Sequence, residues 1–312
     1  MVKKEGFCMA FDGFTLKAVI KELGPSLIGG KITKVYEPTP EEIILGIYSG
    51  GYNYALSINV SSLYSLHLTT RSKPNPLAAP SFCMLLRKYL IGCKIKNIST
   101  PSFERLAILE LEGYNELNDL VVYKLMVELM GKHSNIILIN QENIIIDSLK
   151  HFTTFSGSTR NILPNSPYVL PELNRLDVNE TPISLEAYTS IVQSLKYCTI
   201  HNNSEIISIS YYFLEHFSGL SKTLIDYAIS KLGITDEFTF ENYQLLLSYL
   251  KELSSKIENN QVSCIPFEKD YTLTSVSLDN EMDYAENSLK VNFFLDDYYA
   301  DKERLEEFTR VS

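Results

Sequence analysis

The chain has 312 residues, of which 45% are hydrophobic and 21% are charged, and it contains no tryptophan. This length and composition are typical of an ordinary soluble protein with room for two domains and a sizeable core. Its formal net charge of -10 argues against nucleic acid as a partner of the whole surface, and no apolar run approaches the roughly 18 residues that span a bilayer.

The cysteines indicate a reducing compartment. There are five of them, they are scattered, and no two form a CxxC pair, so the odd count argues against a disulfide framework. The N-terminal Met-Val-Lys-Lys-Glu-Gly is not followed by a signal-type apolar core. We therefore expect a cytoplasmic protein without a membrane partner.

The net charge hides a split between the two parts of the chain. Residues 1–170 contain 17 Lys and Arg against 14 Asp and Glu, a net of +3, whereas residues 171–312 contain 11 against 24, a net of -13. The first part can carry a basic face, although such a cluster is also what an ordinary solvated surface looks like. The candidates for this face are Arg71, Lys73, Arg87, Lys88, Lys94 and Lys96.

The first part of the chain predicts a short helix followed by antiparallel strands. After a leader at residues 1–8, apolar residues at helical spacing predict a helix over 15–23 that ends at Gly24-Pro25. Short strands separated by turn residues then predict an antiparallel meander, and Pro80 begins a helix that ends near Ile91. The predicted strands are 31–36, 42–48, 52–60, 64–69, 94–99, 104–112 and 119–129.

A polar corner interrupts this β-rich part. The apolar strand that ends at Glu128 breaks at Gly131, and Lys132, His133 and Ser134 follow before the chain returns to strand at Asn135. A tight polar corner between buried strands holds hydrogen-bonding groups on a rigid support, as binding surfaces often do. Alternatively, these residues form a turn that satisfies its own backbone.

Helical patterns dominate after Pro171, over about 184–197, 204–216, 221–232 and 239–258. The segment 217–221 between the second and third helices, with Ser221 as N-cap, predicts either a helix-hairpin-helix motif that can hold a phosphate or an ordinary αα-corner. Residues 262–278 predict one or two strands that return to the N-terminal sheet. A charged helix begins at Asp296, and it stops where the heptads of a coiled coil would start, as if the chain were part of something longer.

No catalytic motif appears in the sequence. There is no glycine-rich phosphate loop, no metal-ligand spacing among the five histidines and no nucleophile elbow, so we expect neither a metal nor a cofactor. Glu104-Arg105, at the start of a predicted strand, is a further polar feature. Arg offers a planar fork to phosphates and bases, whereas the pair can also be a surface ion pair worth ~0–1 kcal/mol.

Several segments together resemble the NFACT family of ribosome quality-control factors, some members of which are called fibronectin-binding proteins. The matching segments begin with Met9-Ala-Phe-Asp-Gly13 and cover most of residues 9–171 in order. The most specific is Glu128-Leu-Met-Gly-Lys-His-Ser-Asn-Ile-Ile-Leu138. The others are Gly29–Lys34, Pro80–Lys88, Ile146–His151 and Ile162–Pro164.

The resemblance implies an α+β fold. Residues 9–171 would form a β-rich domain like the N-terminal domain of formamidopyrimidine-DNA glycosylases, 172–292 a helix-hairpin-helix region, and 293–312 the truncated start of a coiled coil. It also implies a non-enzymatic role on stalled large ribosomal subunits. There the protein would bind peptidyl-tRNA and alanyl-tRNA and promote mRNA-independent alanine tailing of the nascent chain.

The resemblance places the tRNA-binding residues at Glu104-Arg105 and in the polar corner. Here Glu104 replaces an Asp of the family and Lys132 replaces a frequent Arg, which exchanges a bidentate fork for a point charge. The expected tRNA-binding residues are Glu104, Arg105, Glu128, Met130, Lys132, His133, Ser134 and Asn135. Further phosphate contacts are expected at Arg71, Lys73, Arg87 and Lys88.

Two other classes of protein stay open. A surface adhesin that binds fibronectin is suggested by the family's alternative name. A DNA-repair glycosylase is suggested by the fold analogy alone, and Met9-Ala-Phe offers no N-terminal proline amine as nucleophile.

Overall fold

The computed structural model describes residues 11–153, 160–172, 175–202, 208–276 and 289–311. The predicted leader at residues 1–8 lies outside these ranges. Two compact units are present. The first comprises Met1–Ala18, Ser102–Glu104 and Glu172–Met282, and the second comprises Val19–Pro101, Arg105–Pro171 and Asp283–Ser312. The units therefore do not follow a single division at Pro171.

The described residues form seven helices and eleven strands. The helices are α1 (Gly13–Leu27), α2 (Ser81–Leu90), α3 (Leu185–Asn202), α4 (Ile209–His216), α5 (Lys222–Leu232), α6 (Phe240–Glu258) and α7 (Lys290–Val311). The strands are β1 (Lys31–Thr39), β2 (Glu42–Ser49), β3 (Tyr52–Asn59), β4 (Ser65–Leu68), β5 (Lys94–Ser99), β6 (Leu106–Tyr114), β7 (Leu120–Glu128), β8 (Asn135–Ile139), β9 (Ile145–Ser148), β10 (Val262–Phe267) and β11 (Asp270–Ser275).

Helix α1 is longer than predicted. It begins after Asp12, whose Oδ1 accepts the amide of Thr15 at 2.8 Å, and it continues through Gly24 and Pro25 to Leu27. The predicted stop at Gly24-Pro25 is wrong because a proline near the end of a helix removes a single hydrogen bond. The fully buried Leu23 and Leu27 hold this last turn in the core.

Nine antiparallel strands form the sheet of the second unit, in the order β4-β3-β2-β1-β5-β6-β7-β8-β9. Successive side chains alternate between faces, and Leu45, Ile47, Leu56 and Ile58, which share one face, are buried. This sheet and the helices confirm the predicted α+β class and the large antiparallel sheet. The likeness to the glycosylase domain and the helix-hairpin-helix motif stay predictions.

The sheet curls back on itself within the second unit. Strands β4 and β9 lie at opposite ends of the strand order, yet Lys150, just after β9, donates from Nζ to the carbonyl of Val60, just after β3, at 2.9 Å. Strands in a sheet twist in one direction, and this twist accumulates over nine strands until the two halves meet. As a result, the segments that follow β3 and β9 lie next to each other, although they are far apart in the sequence.

Helix α7 packs against β4 in the second unit, and the coiled coil expected to start within residues 293–312 stays a prediction. The amide of Leu68 donates to Asn292 Oδ1 and the amide of Thr70 donates to Asp296 Oδ2, both at 3.0 Å. Glu22 accepts the amides of Val291 and Asn292 at the helix start. Burial raises the pKa of Glu22, and these hydrogen bonds oppose that rise.

The first unit contains α3 to α6 and a separate hairpin. Strands β10 and β11 pair with each other through six residue pairs and form a two-stranded sheet of their own, so the predicted return to the large sheet is wrong. The hydroxyl of Ser221 caps α5 by accepting the amide of Leu224 at 3.1 Å, as predicted.

The hairpin between α4 and α5 is closely packed by other parts of the first unit. Ser221 donates to Asp12 Oδ2 at 2.7 Å, and the amide of Gly13 donates to the carbonyl of Gly219 at 3.0 Å. A Cβ added to Gly13 would lie 1.7 Å from the carbonyl oxygen of Phe103, so this contact requires glycine. The Asp12 carboxylate lies where a helix N-terminus would otherwise attract a phosphate.

Candidate functional site

The polar corner is a single turn of 3-10 helix over Gly131–His133. The amide of Ser134 donates to the carbonyl of Gly131 at 3.0 Å, and Gly131 has a φ of +59°, which a residue without a side chain adopts at little cost. Lys132 and His133 are exposed, and Met130 is half-buried. The turn therefore presents two nitrogen-bearing side chains on a support fixed by β7 and β8.

Arg105 lies beside this turn. It immediately precedes β6, whose first residue Leu106 is paired with Glu128 at the end of β7, and the amide of Leu129 donates to the Arg105 carbonyl at 2.8 Å. The half-buried guanidinium donates from Nη1 to the Tyr64 hydroxyl at 2.9 Å. Arg105 is therefore anchored at its base and at one nitrogen, with other N–H groups left to donate.

Lys150 and His151 lie at the same edge of the sheet. The amide of Leu149 donates to the carbonyl of Ile136, one residue into β8, and Lys150 pairs with Glu41 at 2.6 Å. His151 is exposed, and its Nε2 lies 2.7 Å from Asp147 Oδ1. We call this set the polar edge, and its members are Arg105, Lys132, His133, Lys150 and His151.

A largely buried ion pair lies at the end of β7, just before the polar corner. Glu128, which is 1% exposed, accepts both terminal nitrogens of Arg160, at 2.9 and 2.7 Å, and the Tyr168 hydroxyl at 2.7 Å. Burial opposes the charge of Arg160, but the hydrogen bonds and charge of Glu128 outweigh it and raise the pKa of the guanidinium. Burial and then the charge of Glu128 raise the pKa of Tyr168 far above its ordinary value, so Tyr168 stays a donor.

Asn135 ties β8 to the segment after β9. Its Nδ2 donates to the Lys150 carbonyl at 2.8 Å, and its Oδ1 accepts the amides of Ile136 and Lys150, both at 2.9 Å. Ser134 is fully buried, and its hydroxyl has no hydrogen-bond partner within the described residues. Neither side chain reaches the surface.

The structure brings together a part of the predicted site. Arg105, Met130, Lys132 and His133 lie at one edge of the sheet in the second unit, whereas the half-buried Glu104 belongs to the first unit. The side chains of Glu128, Ser134 and Asn135, which were also expected to bind tRNA, are buried in this chain, so that part of the expectation stays a prediction. Strands alternate their faces, so residues at the ends of β7 and the start of β8 can point into the core.

The four residues expected to make further phosphate contacts are already engaged. Arg71 pairs with Asp297, and Lys73 pairs with Glu42 and Glu303 at 2.8 and 2.7 Å. Arg87 donates from Nε to the Val35 carbonyl at 3.0 Å, and Lys88 pairs with Glu116 at 3.0 Å. Each of these four side chains therefore has a partner within the described chain, and its contact with a phosphate stays a prediction.

The chemistry of the polar edge is that of anion binding. Lys132 has no acidic partner within the described part of the chain, and Arg105 retains N–H groups beyond the one that Tyr64 accepts. Among the described residues, no group of three or more His, Cys, Asp or Glu side chains could hold a metal ion. The same residues include no helix that is both long and apolar enough to cross a membrane.

Sequence reasoning missed three contributors to this site. Tyr64 orients Arg105 from 41 positions away, and Arg160 binds Glu128 from 32 positions away, so no local pattern links them. Lys150 lies within the segment 146–151, which resembles the NFACT family. A lysine next to the end of a predicted strand was the one feature of the sequence that could have identified it.

The described residues thus define an α+β protein whose large antiparallel sheet carries a basic, hydrogen-bonding edge. The profile of the NFACT N-terminal and middle domains matches residues 12–312. The chain therefore belongs to the NFACT family, which confirms the resemblance seen in the sequence.

Curated relatives place the family in ribosome quality control. The chain is 34% identical over 245 residues to the Rqc2 homolog RqcH of Bacillus subtilis, which covers 77% of this chain and 40% of that protein. It is 38% identical over 165 residues to RqcH of Streptococcus suis, which covers 52% of this chain and 30% of that protein. The chain thus spans at most about two fifths of these relatives.

Solved structures with a similar fold carry another name. The N-terminal part of the fibronectin/fibrinogen-binding protein from Streptococcus suis has a TM-score of 0.71 at 27% identity and covers 93% of this chain and 99% of that one. The fibrinogen-binding protein from Staphylococcus aureus has a TM-score of 0.70 at 21% identity over 93% of this chain and 99% of that one, which shows the fold alone.

Proposed function

We propose that this chain is the N-terminal part of a ribosome quality-control factor, and that its polar edge binds tRNA on the large ribosomal subunit. In the longer protein this contact would position peptidyl-tRNA and an incoming tRNA, alanyl-tRNA by analogy with the family, for mRNA-independent tailing of the nascent chain. The ribosome would form the peptide bond, so the protein itself breaks and makes no covalent bond.

The observation that carries this proposal is the position of Arg105 beside the 3-10 turn. The hydrogen bond from the Leu129 amide to the Arg105 carbonyl brings the backbone of Arg105 close to the start of the turn that bears the exposed Lys132 and His133. A planar fork beside a point charge suits a phosphate backbone with a base edge nearby. Family membership supplies the reason to expect tRNA instead of another polyanion.

Binding of a purified tRNA, measured by filter assay across a salt series, tests the proposal. Arg105→Ala and Lys132→Ala should each weaken binding, and each should reduce the slope of log K against log salt by about 0.7–0.9, because one phosphate contact is lost. Lys88→Ala is the matched control, since Lys88 is 61% exposed and paired with Glu116. Affinity that ignores salt, or a control variant as weak as Lys132→Ala, would contradict the proposal.

Ser134→Ala tests whether Ser134 contacts tRNA directly or only forms part of the structure of the polar corner. The Ser134 hydroxyl is buried without a partner in the described structure, so its removal should leave tRNA affinity unchanged and should not lower stability. A clear loss of affinity would instead restore Ser134 as a tRNA ligand. Co-sedimentation with purified large ribosomal subunits tests the second partner.

Fibronectin binding is the second candidate function, and the observation that favours it is the name of the structural neighbour from Streptococcus suis. Immobilised fibronectin tests it with the same variants. We expect no binding that depends on Arg105 or Lys132, because the basic edge is proposed to serve RNA. Saturable fibronectin binding together with no affinity for tRNA would reverse the order of the two candidates.

A further inference from the structure

Four neighbouring strands of the second unit, in the order β2-β1-β5-β6, carry a row of side chains on one face of the sheet. Tyr48 of β2 is paired with Lys31 of β1, which is paired in turn with Lys94 of β5. Lys94 is paired with Glu112 of β6, and Tyr114 lies two residues further along that strand. Directly paired residues point to the same face, and so do residues two apart on one strand. The register therefore places two lysines and two tyrosines on one surface, which we call the Lys–Tyr row.

The four side chains of the Lys–Tyr row are accessible. Tyr48 is 50% exposed, Tyr114 is 70% exposed, and Lys31 and Lys94 are both exposed. Neighbouring strands lie about 4.8 Å apart, so three strand spacings separate the two tyrosines by about 14 Å across the sheet. The two lysines lie on the strands between them.

The lysines of the row lack a carboxylate that would balance their charge. Neither Lys31 nor Lys94 has an acidic partner within the described residues. Glu112, which lies opposite Lys94, is paired with Lys96 at 3.1 Å. Two like charges directly opposite each other on adjacent strands cost free energy, and a bound anion would offset that cost.

Aromatic rings interleaved with cations on a sheet are typical of surfaces that bind single-stranded nucleic acid. A tyrosine ring can stack on any base, because every base has a π-face. Lysines between the rings can contact the phosphates that join the stacked bases. The Lys–Tyr row offers both kinds of contact on one face.

We propose that the Lys–Tyr row binds a single-stranded segment of RNA. Tyr48 and Tyr114 stack on bases, and Lys31 and Lys94 contact the phosphates between them. The choice of RNA among polyanions rests on the proposed function, to which the row adds a second RNA contact.

The row is separate from the polar edge. Tyr114 is paired with Leu120 at one end of β6 and β7, whereas Leu106 is paired with Glu128 at the other end, beside the polar corner. The nine residues of β6 hold the two surfaces about 25–30 Å apart along the strand. Each surface can therefore be altered without changing the other.

Fluorescence anisotropy with a short labelled oligouridine tests the proposal on the full 312-residue chain. Tyr48→Ala should weaken binding roughly tenfold without changing the salt slope, because a stacked base is lost and the charges remain. Tyr48→Phe should restore binding, because phenylalanine keeps the ring. The double variant Lys31→Ala/Lys94→Ala should reduce the salt slope by about 1.4, because single strands lose about 0.7 per phosphate contact.

Matched controls come from the same unit. Tyr52 is 68% exposed and is paired with Ser49, the residue after Tyr48, so its ring lies on the opposite face of the sheet. Lys88 is 61% exposed and is paired with Glu116. Tyr52→Ala and Lys88→Ala should both leave oligouridine binding unchanged.

Two further probes separate RNA binding from attraction by charge alone. A hairpin duplex of the same length should bind more weakly, because its bases are already stacked, and polyglutamate should compete poorly. No oligouridine binding, equal affinity for the duplex, competition by polyglutamate at equal charge, or equal loss in Tyr48→Ala and Tyr52→Ala would each overturn the proposal. Lys132→Ala should weaken tRNA binding and spare oligouridine, so a failure at the Lys–Tyr row is distinguishable from a failure at the polar edge.

Discussion

The amide of Leu129 donates a hydrogen bond to the carbonyl of Arg105 at 2.8 Å, and this contact joins the start of β6 to the end of β7 next to the 3-10 turn. Two segments that are separate in the sequence thereby become neighbours at one edge of the sheet. This hydrogen bond fixes the backbone of Arg105, and the Tyr64 hydroxyl, 2.9 Å from Nη1, holds its side chain.

Tyr64→Phe should loosen Arg105 without removing it. Tyr64 is 5% exposed, and its hydroxyl accepts from the Arg105 guanidinium at 2.9 Å. We expect a loss of about 1 kcal/mol in the free energy of unfolding and a several-fold loss of tRNA affinity. Urea unfolding and filter binding measure the two effects. Tyr114→Phe, at a tyrosine that is 70% exposed, should change neither, and an unaltered tRNA affinity in Tyr64→Phe would show that Arg105 does not depend on this anchor.

Glu128→Gln should destabilise the second unit. The substitution keeps the shape of the side chain but leaves the charge of Arg160, whose side chain is 19% exposed, without its carboxylate. Breaking one side of a buried pair costs about 3–5 kcal/mol, and urea unfolding measures it. The control is Glu116→Gln, whose carboxylate is 82% exposed and whose loss should cost about 0–1 kcal/mol. Similar costs for the two variants would mean that the Glu128–Arg160 pair contributes little.

Acidification should weaken the packing around His67. This residue is 4% exposed, and its ring stacks on Tyr299 with the ring centroids 5.7 Å apart. Burial lowers the pKa of His67 below its ordinary value. The charges of Asp296 and Glu303 oppose that shift, and the charge of Lys73 adds to it. The unfolded chain takes up a proton near pH 6.5 while folded His67 does not, so this part of the stability is lost as the pH falls below about 6.5.

His67→Gln isolates that contribution, because the other titrating groups are unchanged. Unfolding in urea at pH 7.5 and 5.5 should show a larger loss of stability for the natural sequence than for the variant. An identical pH dependence in both proteins would mean that His67 titrates equally in the folded and unfolded chain.

Gly13→Ala should disrupt the first unit. The new Cβ would lie 1.7 Å from the Phe103 carbonyl oxygen and 2.7 Å from the Gly219 Cα, and backbone atoms cannot move aside as a flexible side chain can. We expect a cost of about 3 kcal/mol or more, measured by thermal unfolding. Gly24→Ala meets only an ordinary contact, 3.7 Å from Ile28 Cδ1, and should change stability by less than about 1 kcal/mol. Equal stabilities for the two variants would contradict the packing described here.

Local sequence patterns were sufficient to predict the bounds of helices and strands whose spacing of apolar residues is regular. Strand β5 was predicted at its observed bounds, and α6 within one residue at its start, because alternation and helical spacing are properties of neighbouring residues. The end of α1 was missed because tertiary packing of Leu27 outweighed a local helix-breaking signal. The burial of Glu128 was missed because its partner Arg160 lies on another segment.

By itself, the sequence determined the α+β class, the antiparallel strands, the NFACT family and the polar corner, since each follows from the order of neighbouring residues. The tertiary structure decided which of those polar residues are exposed. It assigned Arg71 and Lys73 to acidic residues more than 220 positions away, buried Glu128 against Arg160, and left Lys34 and Lys132 without such partners in the described chain. The physical reason is that a strand's period fixes which face a side chain occupies, whereas the curl of the sheet and the packing of α7 fix what covers that face.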